Sequence, residues 1–351
     1  MKRLMALTLT LLLTLSFTAV GASAASDLPQ GTGVTLVLYT NSGNDGRGDW
    51  LVERAAKDGF AIQYVHGGAA EIQSRLIAEK NAPIADIVFG LNAIIWASLK
   101  SENILIPYTP AWADEVAEGL NDPEGFYHAI VKQAILLVYD KNQMSPEEAP
   151  TDWLDIWNNE AFYGKFECMH RINGGTTRNV IAGVLTRFTD PDGDLGISAE
   201  GWEQMKLYYE HGVFSEEGVD LYARIASENY GVVCGQMWSS GIAARDAEYG
   251  TDTGVVIPEV GVPFAVEGVA IVNGTKKTDE AQRFVEWFGS AQIQGEWAET
   301  FATLPANTYA LDKADDFSKF FGALPAQDID WDLVAKYIDA WCEKIELTYM
   351  L

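Results

Sequence analysis

The residues best able to do chemistry in this chain are hydroxyls, amides and one guanidinium gathered at loop-to-helix junctions. Gly174-Gly175-Thr176-Thr177-Arg178 precedes a helical apolar pattern of Val180, Ile181, Val184, Leu185 and Phe188. Free backbone N–H groups, two hydroxyls and the Arg178 guanidinium can there converge on one phosphate or carboxylate. Ser239-Ser240-Gly241 repeats the arrangement ahead of an Ala-rich helical run that starts at Ile242. Two such helix starts facing one cleft can hold one oxyanion. The plainer reading is that Thr177, Ser239 and Ser240 only cap helices and that Arg178 pairs with a surface carboxylate. Across the expected cleft, Thr40, Asn41, Ser42 and Asn44 offer small hydrogen-bonding groups suited to hydroxyls or an anion. Trp238 and Glu267 are further candidate contacts, with core packing and a hinge hydrogen bond as their respective alternatives.

Other chemistries lack their residues. No GxSxG nucleophile elbow or HExxH metal helix occurs, so a secreted hydrolase is the weaker rival and no catalytic residue is assigned. His66, His128, His170 and His211 are scattered, and Cys168, Cys234 and Cys342 form no CxxC, so no metal and no cofactor is expected. The three cysteines read as buried small hydrophobes, although Cys168 and Cys234 lie in strand-like runs that can be neighbours. Asp190-Pro191-Asp192-Gly193-Asp194 has a calcium loop's density of carboxylates, but Leu195 and Gly201 stand where an EF-hand needs Gly and Glu, so a turn-rich loop fits better. Arg47-Gly48-Asp49 spells an adhesion tripeptide that a Gly-rich loop leading into a helix explains without adhesion.

The elements that must position these groups alternate in type. Val34 to Tyr39 reads as a buried strand, followed by a polar loop to Asp49 and a helix from about Trp50. Ala61 to Val65 is a second strand, Ile72, Leu76, Ile77 and Lys80 mark a helix, and Asp86 to Phe89 is a third strand. Strand, helix, strand order predicts an α/β fold with largely parallel sheets. Ligands then lie beyond the carboxyl ends of the strands, which nominates Thr40 to Arg47, Gly67-Gly68 and Gly90 to Asn92 as one rim. A second set follows, with strands at Phe166 to Met169 and Gly231 to Met237. Two long apolar stretches, Ala134 to Tyr139 and Glu267 to Val272, read as strands crossing between two lobes.

The amino terminus is a basic Met1-Lys2-Arg3, an apolar run to about Val20, and Ala22-Ser23-Ala24. That is the pattern of a cleaved secretory signal over residues 1–24, placing the product in the periplasm or outside the cell. No Cys follows the run to carry a lipid anchor, so a released protein is expected. With 50 acidic against 24 basic residues and a net charge of -26, nucleic acid and anionic membranes are poor partners. An anionic ligand would need a locally positive pocket. A surface adhesin would show repeats or an anchor, and neither is seen.

Six segments, in order, resemble one family: Leu38-Tyr39-Thr40-Asn41, Ala82 to Gly90, Leu137 to Asn142, Gly174 to Asn179, Glu267 to Val272 and Ala281 to Phe288. The chain resembles the type II periplasmic solute-binding proteins of ABC importers, in the branch of ferric-iron, hexose-phosphate and aminoethylphosphonate binders. The resemblance implies a two-lobe fold, closure on a ligand at the hinge, and delivery to a membrane permease by a monomer. Residues 25–132 with about 267–320 would form one lobe, and 133–266 with about 321–351 the other. Ferric binders of this branch carry adjacent tyrosines just after the strand read as Gly231 to Met237. Here that place reads Trp238-Ser239-Ser240-Gly241, and the adjacent pair Tyr208-Tyr209 falls in a helical stretch that favours packing. A small anion, whether a phosphorylated sugar, a phosphonate or a carboxylate, is therefore the first expectation and ferric ion the alternative. The expected ligand residues are Thr40, Asn41, Ser42, Gly68, Asn92, Thr176, Thr177, Arg178, Trp238, Ser239, Ser240 and Glu267.

Overall fold

Strand β1 (Thr35–Thr40) sends Leu36 and Leu38 to one face and Val37 and Tyr39 to the other, and both faces are packed against core. That is why it reads as an unbroken apolar run and not as an alternation. The computed structural model describes residues 28–227 and 229–350, so the signal segment expected over residues 1–24 lies outside them. From β1 the chain passes through α1 (Arg47–Lys57), β2 (Ala61–His66), α2 (Ala69–Ala78), β3 (Ile87–Gly90), α3 (Ala93–Ser101) and β4 (Leu105–Ile106). β2 and β3 flank β1 in parallel. The three helices start just past the carboxyl ends of these strands, as the βαβ order requires.

The long β5 (His128–Asp140) follows, then α4 (Asp155–Asn158), β6 (Glu167–Cys168), α5 (Gly175–Leu185), β7 (Thr189–Asp194), α6 (Ala199–His211) and β8 (Val213–Phe214). Next are α7 (Leu221–Ile225), β9 (Cys234–Trp238), α8 (Ile242–Tyr249), β10 (Thr253–Val256) and β11 (Phe264–Val272). The chain closes with α9 (Thr278–Gly289), α10 (Ala291–Phe301), β12 (Leu304–Pro305), α11 (Asp316–Gly322) and α12 (Trp331–Thr348).

β5 changes partner along its length. Up to Ala134 it pairs antiparallel with β11, and from Ile135 it pairs with β9, and near its end with β10. β11 lies between β5 and β3, antiparallel to both, with a register break at Glu267/Gly268. Both expected crossing strands are therefore present, although β5 begins at His128 and not at Ala134. The sheet is mixed where largely parallel pairing was expected, because β11 returns antiparallel beside β3 and β9 and β10 both run against β5.

Buried side chains fall into four clusters. Two flank β1 and β3: Leu36, Leu38 and Phe89 meet Phe284, Phe288 and Trp297 on one face, and Tyr39 and Val88 meet Leu76, Trp96 and Leu99 on the other. The other two flank the second half of β5. Ile135, Leu137 and Tyr139 pack on α5, α6 and α12, while Leu136 and Val138 pack on Tyr222, Met237, Ile242 and Phe321. Tyr208 and Tyr209 lie inside the third cluster, Tyr208 edge-on to Trp157 and stacked on Phe166 and Tyr209 stacked on Phe214, which is the packing role expected for them. Cys168, Cys234 and Cys342 are buried free thiols, and burial pushes Cys168 and Cys234 up to about 12. Asp190 to Asp194 forms β7 and a tight turn back to Ile197.

Candidate ligand-binding cleft

A cleft of about 310 Å³ lies beyond the carboxyl ends of β1, β2 and β3, with the start of α5 and Trp238 opposite them. The β1 side supplies Asn41, Ser42 and Arg47, the β2 and β3 ends supply His66, Gly68 and Asn92, and the floor is Gln133 and Glu267 from the crossing strands. Thr176 and Asn179 come from α5.

Each wall is held by its own hydrogen bonds. Thr40 Oγ1 accepts from the Ser42 N–H at 2.9 Å and folds the loop after β1. Asn41 Oδ1 accepts from the Leu91 N–H at 2.6 Å, pinning the left-handed turn at Gly90 and Leu91. A Cβ on Gly90 would sit 2.5 Å from that same oxygen, so only glycine fits. Asn92 accepts from Ile95 N–H and caps α3.

A polar chain runs across the floor. Ser42 Oγ donates to Glu267 Oε2 at 2.6 Å, and the Gln133 amide donates to Glu267 Oε1. Ser240 Oγ donates to Gln133 Oε1 at 2.5 Å, and Arg47 Nη2 donates to Ser240 Oγ at 3.3 Å. Burial pushes the Glu267 carboxyl above its ordinary range, against the opposing pull of the Ser42 hydroxyl, the Arg47 charge and the Gln133 amide. Arg47 is also paired with Asp45 at 3.1 Å.

Two helices reach the cleft with no side chain closing their first turns. The N-cap of α1 is Gly46, in the left-handed conformation with φ 78°, and the N-cap of α5 is Gly174. Neither makes a side-chain cap bond. In α1 the Arg47 and Gly48 N–H groups are taken by Asn44 O at 3.0 Å and Gly43 O at 3.3 Å, whereas α5 brings its first-turn N–H groups and the positive end of its macrodipole to the cleft unspent.

Seven expected residues line this cleft: Asn41, Ser42, Gly68, Asn92, Thr176, Trp238 and Glu267. Five do not. Thr40 folds the loop as described. Thr177 is buried, its hydroxyl accepting from Gln236 Nε2 at 2.8 Å. Arg178 is the main correction. α5 is buried on nearly every side, so this cation must find a partner within the fold, and Nη2 lies 2.8 Å from Asp339 Oδ1 on α12 and 2.9 Å from Asn173 Oδ1. Ser239 and Ser240 sit on a 3-10 turn ahead of α8, buried behind the cleft; Ser239 Oγ accepts from the Ala134 N–H at 3.2 Å. The cleft is also lined by Arg47, Gln133 and Asn179, which are not among the expected ligand residues. Arg47 ends the nominated rim loop, and Gln133 and Asn179 are polar residues interrupting apolar runs.

An α/β fold with strands that pass between two packed regions and a polar cleft beside them offers a place to hold a small solute. The comparisons agree: residues 53–326 match the bacterial extracellular solute-binding protein family. The chain belongs to that family. It is 34% identical over 314 residues to the probable ABC transporter periplasmic-binding protein y4fP of Sinorhizobium fredii, covering 89% of this chain and 86% of that protein. In fold it is similar to the ferric binding protein from Campylobacter jejuni, with TM-score 0.74, 20% identity, and 90% and 99% of the two chains covered. It is likewise similar to the periplasmic binding protein AfuA from Actinobacillus pleuropneumoniae, whose structure holds exogenous fructose-6-phosphate, with TM-score 0.72, 19% identity and 90% and 99% coverage.

Proposed function

We propose that this protein captures a small anionic solute bearing a phosphate, phosphonate or carboxylate and delivers it to the permease of an ABC importer. The observation that carries the reading is the Gly-capped start of α5, whose unbonded first-turn N–H groups and Arg47 line one cleft. Backbone N–H groups and a guanidinium can hold an oxyanion in a protein whose overall charge opposes it, because charge-assisted bonds in a partly desolvated site outweigh distant repulsion. Arg47 takes the anchoring role first expected of Arg178.

The solute is held between two lobes, residues 25–132 with about 267–320 and residues 133–266 with about 321–351. The separation of the buried clusters near the change of partner in β5 supports that division. The protein acts as a binder and not as a catalyst, and works as a secreted monomer. Ferric capture is the poorer fit, since no tyrosine is among the described residues lining the cleft.

A thermal-shift survey with phosphate esters, phosphonates, carboxylates, neutral sugars and ferric citrate tests the reading. An anion should raise the midpoint and be recovered unchanged. Stabilisation by a neutral sugar alone, or turnover of the added compound, would overturn it.

A further inference from the structure

Behind the cleft floor a second chamber of about 160 Å³ lies among α3, β11 and the start of α12. Asn92, Asn179 and Glu267 line both this chamber and the cleft. Its walls have a different chemistry from the cleft: Trp96, Leu120, Tyr127, Phe264, Val266 and Trp331. The Trp96 and Tyr127 rings stack 5.5 Å apart with their planes 17° from parallel. An engineered apolar cavity of about 150 Å³ in another protein holds one benzene ring, so this chamber has room for a ring of that size.

Two polar groups at the chamber have bonding capacity left over. Trp96 Nε1 is buried with no hydrogen-bond partner. A Cβ built on Gly268 would lie 3.0 Å from it, so this nitrogen packs against the β11 backbone. A buried indole N–H ordinarily finds an acceptor. The Glu267 oxygens take one hydrogen bond each, from Ser42 and Gln133, where a carboxylate can accept about four.

We propose that the chamber is a second subsite of the ligand site, receiving a small, flat, mostly apolar ring joined to the anionic group. A ring that also carries a donor can give it to Glu267, whose oxygens take one hydrogen bond each. This inference rests on the anion reading of the outer cleft. It makes the protein selective against bare inorganic anions, which would leave the apolar walls uncovered.

Calorimetry on the full mature chain with inorganic phosphate and with phenyl phosphate tests it, using wild type and Ala93→Met. Ala93 lines the chamber and not the cleft, so the methionine fills the ring's space. Phenyl phosphate should bind wild type about tenfold or more tightly than inorganic phosphate, in keeping with burial of one ring. Ala93→Met should abolish that advantage and leave inorganic phosphate binding unchanged. If inorganic phosphate binds but the phenyl group adds nothing, or its advantage survives Ala93→Met, the subsite is wrong and the anion reading stands. If neither probe binds wild type, both fall.

Discussion

Arg178 on α5 and Asp339 on α12 form an ion pair at 2.8 Å that ties two helices together outside the cleft. Only 6% of the arginine side chain is exposed, against 75% of the aspartate's, so the pair anchors a mostly buried cation at the protein surface. Arg178→Ala should therefore cost roughly 1–3 kcal/mol of stability and several degrees of thermal midpoint. Affinity for an anionic solute should stay within about twofold. An unchanged midpoint together with weakened binding would return Arg178 to the ligand site.

Glu267 should leave a signature in the pH dependence of stability. Its carboxyl is raised in the folded protein, so folding is favoured while it is protonated, and that advantage is lost as pH rises through the raised folded pKa. Glu267→Gln removes the titration while keeping the side chain's shape. Thermal midpoints measured from acid to neutral pH should move in the variant's favour as pH rises. A difference that stays constant across that range would mean that Glu267 does not titrate differently in the folded and unfolded chains.

β5 changes partner at Ala134 and Ile135 and β11 breaks register at Glu267 and Gly268, and Ile135 and Glu267 both line the cleft. Small-angle scattering should show a smaller radius of gyration when a stabilising solute is added, as expected of hinge closure. An unchanged radius at verified saturation would remove the hinge.

Local pattern made much of this legible. β1, β2 and β3 are short apolar runs bounded by turn residues, and Gly174-Gly175 marks the start of α5 directly. The rim from Thr40 to Asn92 followed from strand ends alone. Arg178 could not be placed that way, because its partner Asp339 lies on the final helix and no spacing rule joins them. Sheet direction was equally hidden, since apolar periodicity is the same for parallel and antiparallel neighbours. The first part of β5 escaped notice because Lys132 and Gln133 interrupt its apolar run, and Gln133 is there because it reaches the cleft floor. Arg47 closes the rim loop read from Thr40, but its place in the first turn of α1 was hidden because the apolar pattern marks that helix only from about Trp50.

Titration calorimetry of wild type and Arg47→Ala against the anion that gives the largest thermal shift tests the central claim most directly. Loss of a charge-assisted contact in a partly closed cleft should weaken binding about tenfold to a hundredfold, with the fold intact by its melting curve. Equal affinity in the two proteins, or tight binding of a neutral sugar or a polyamine in place of any anion, would contradict the account.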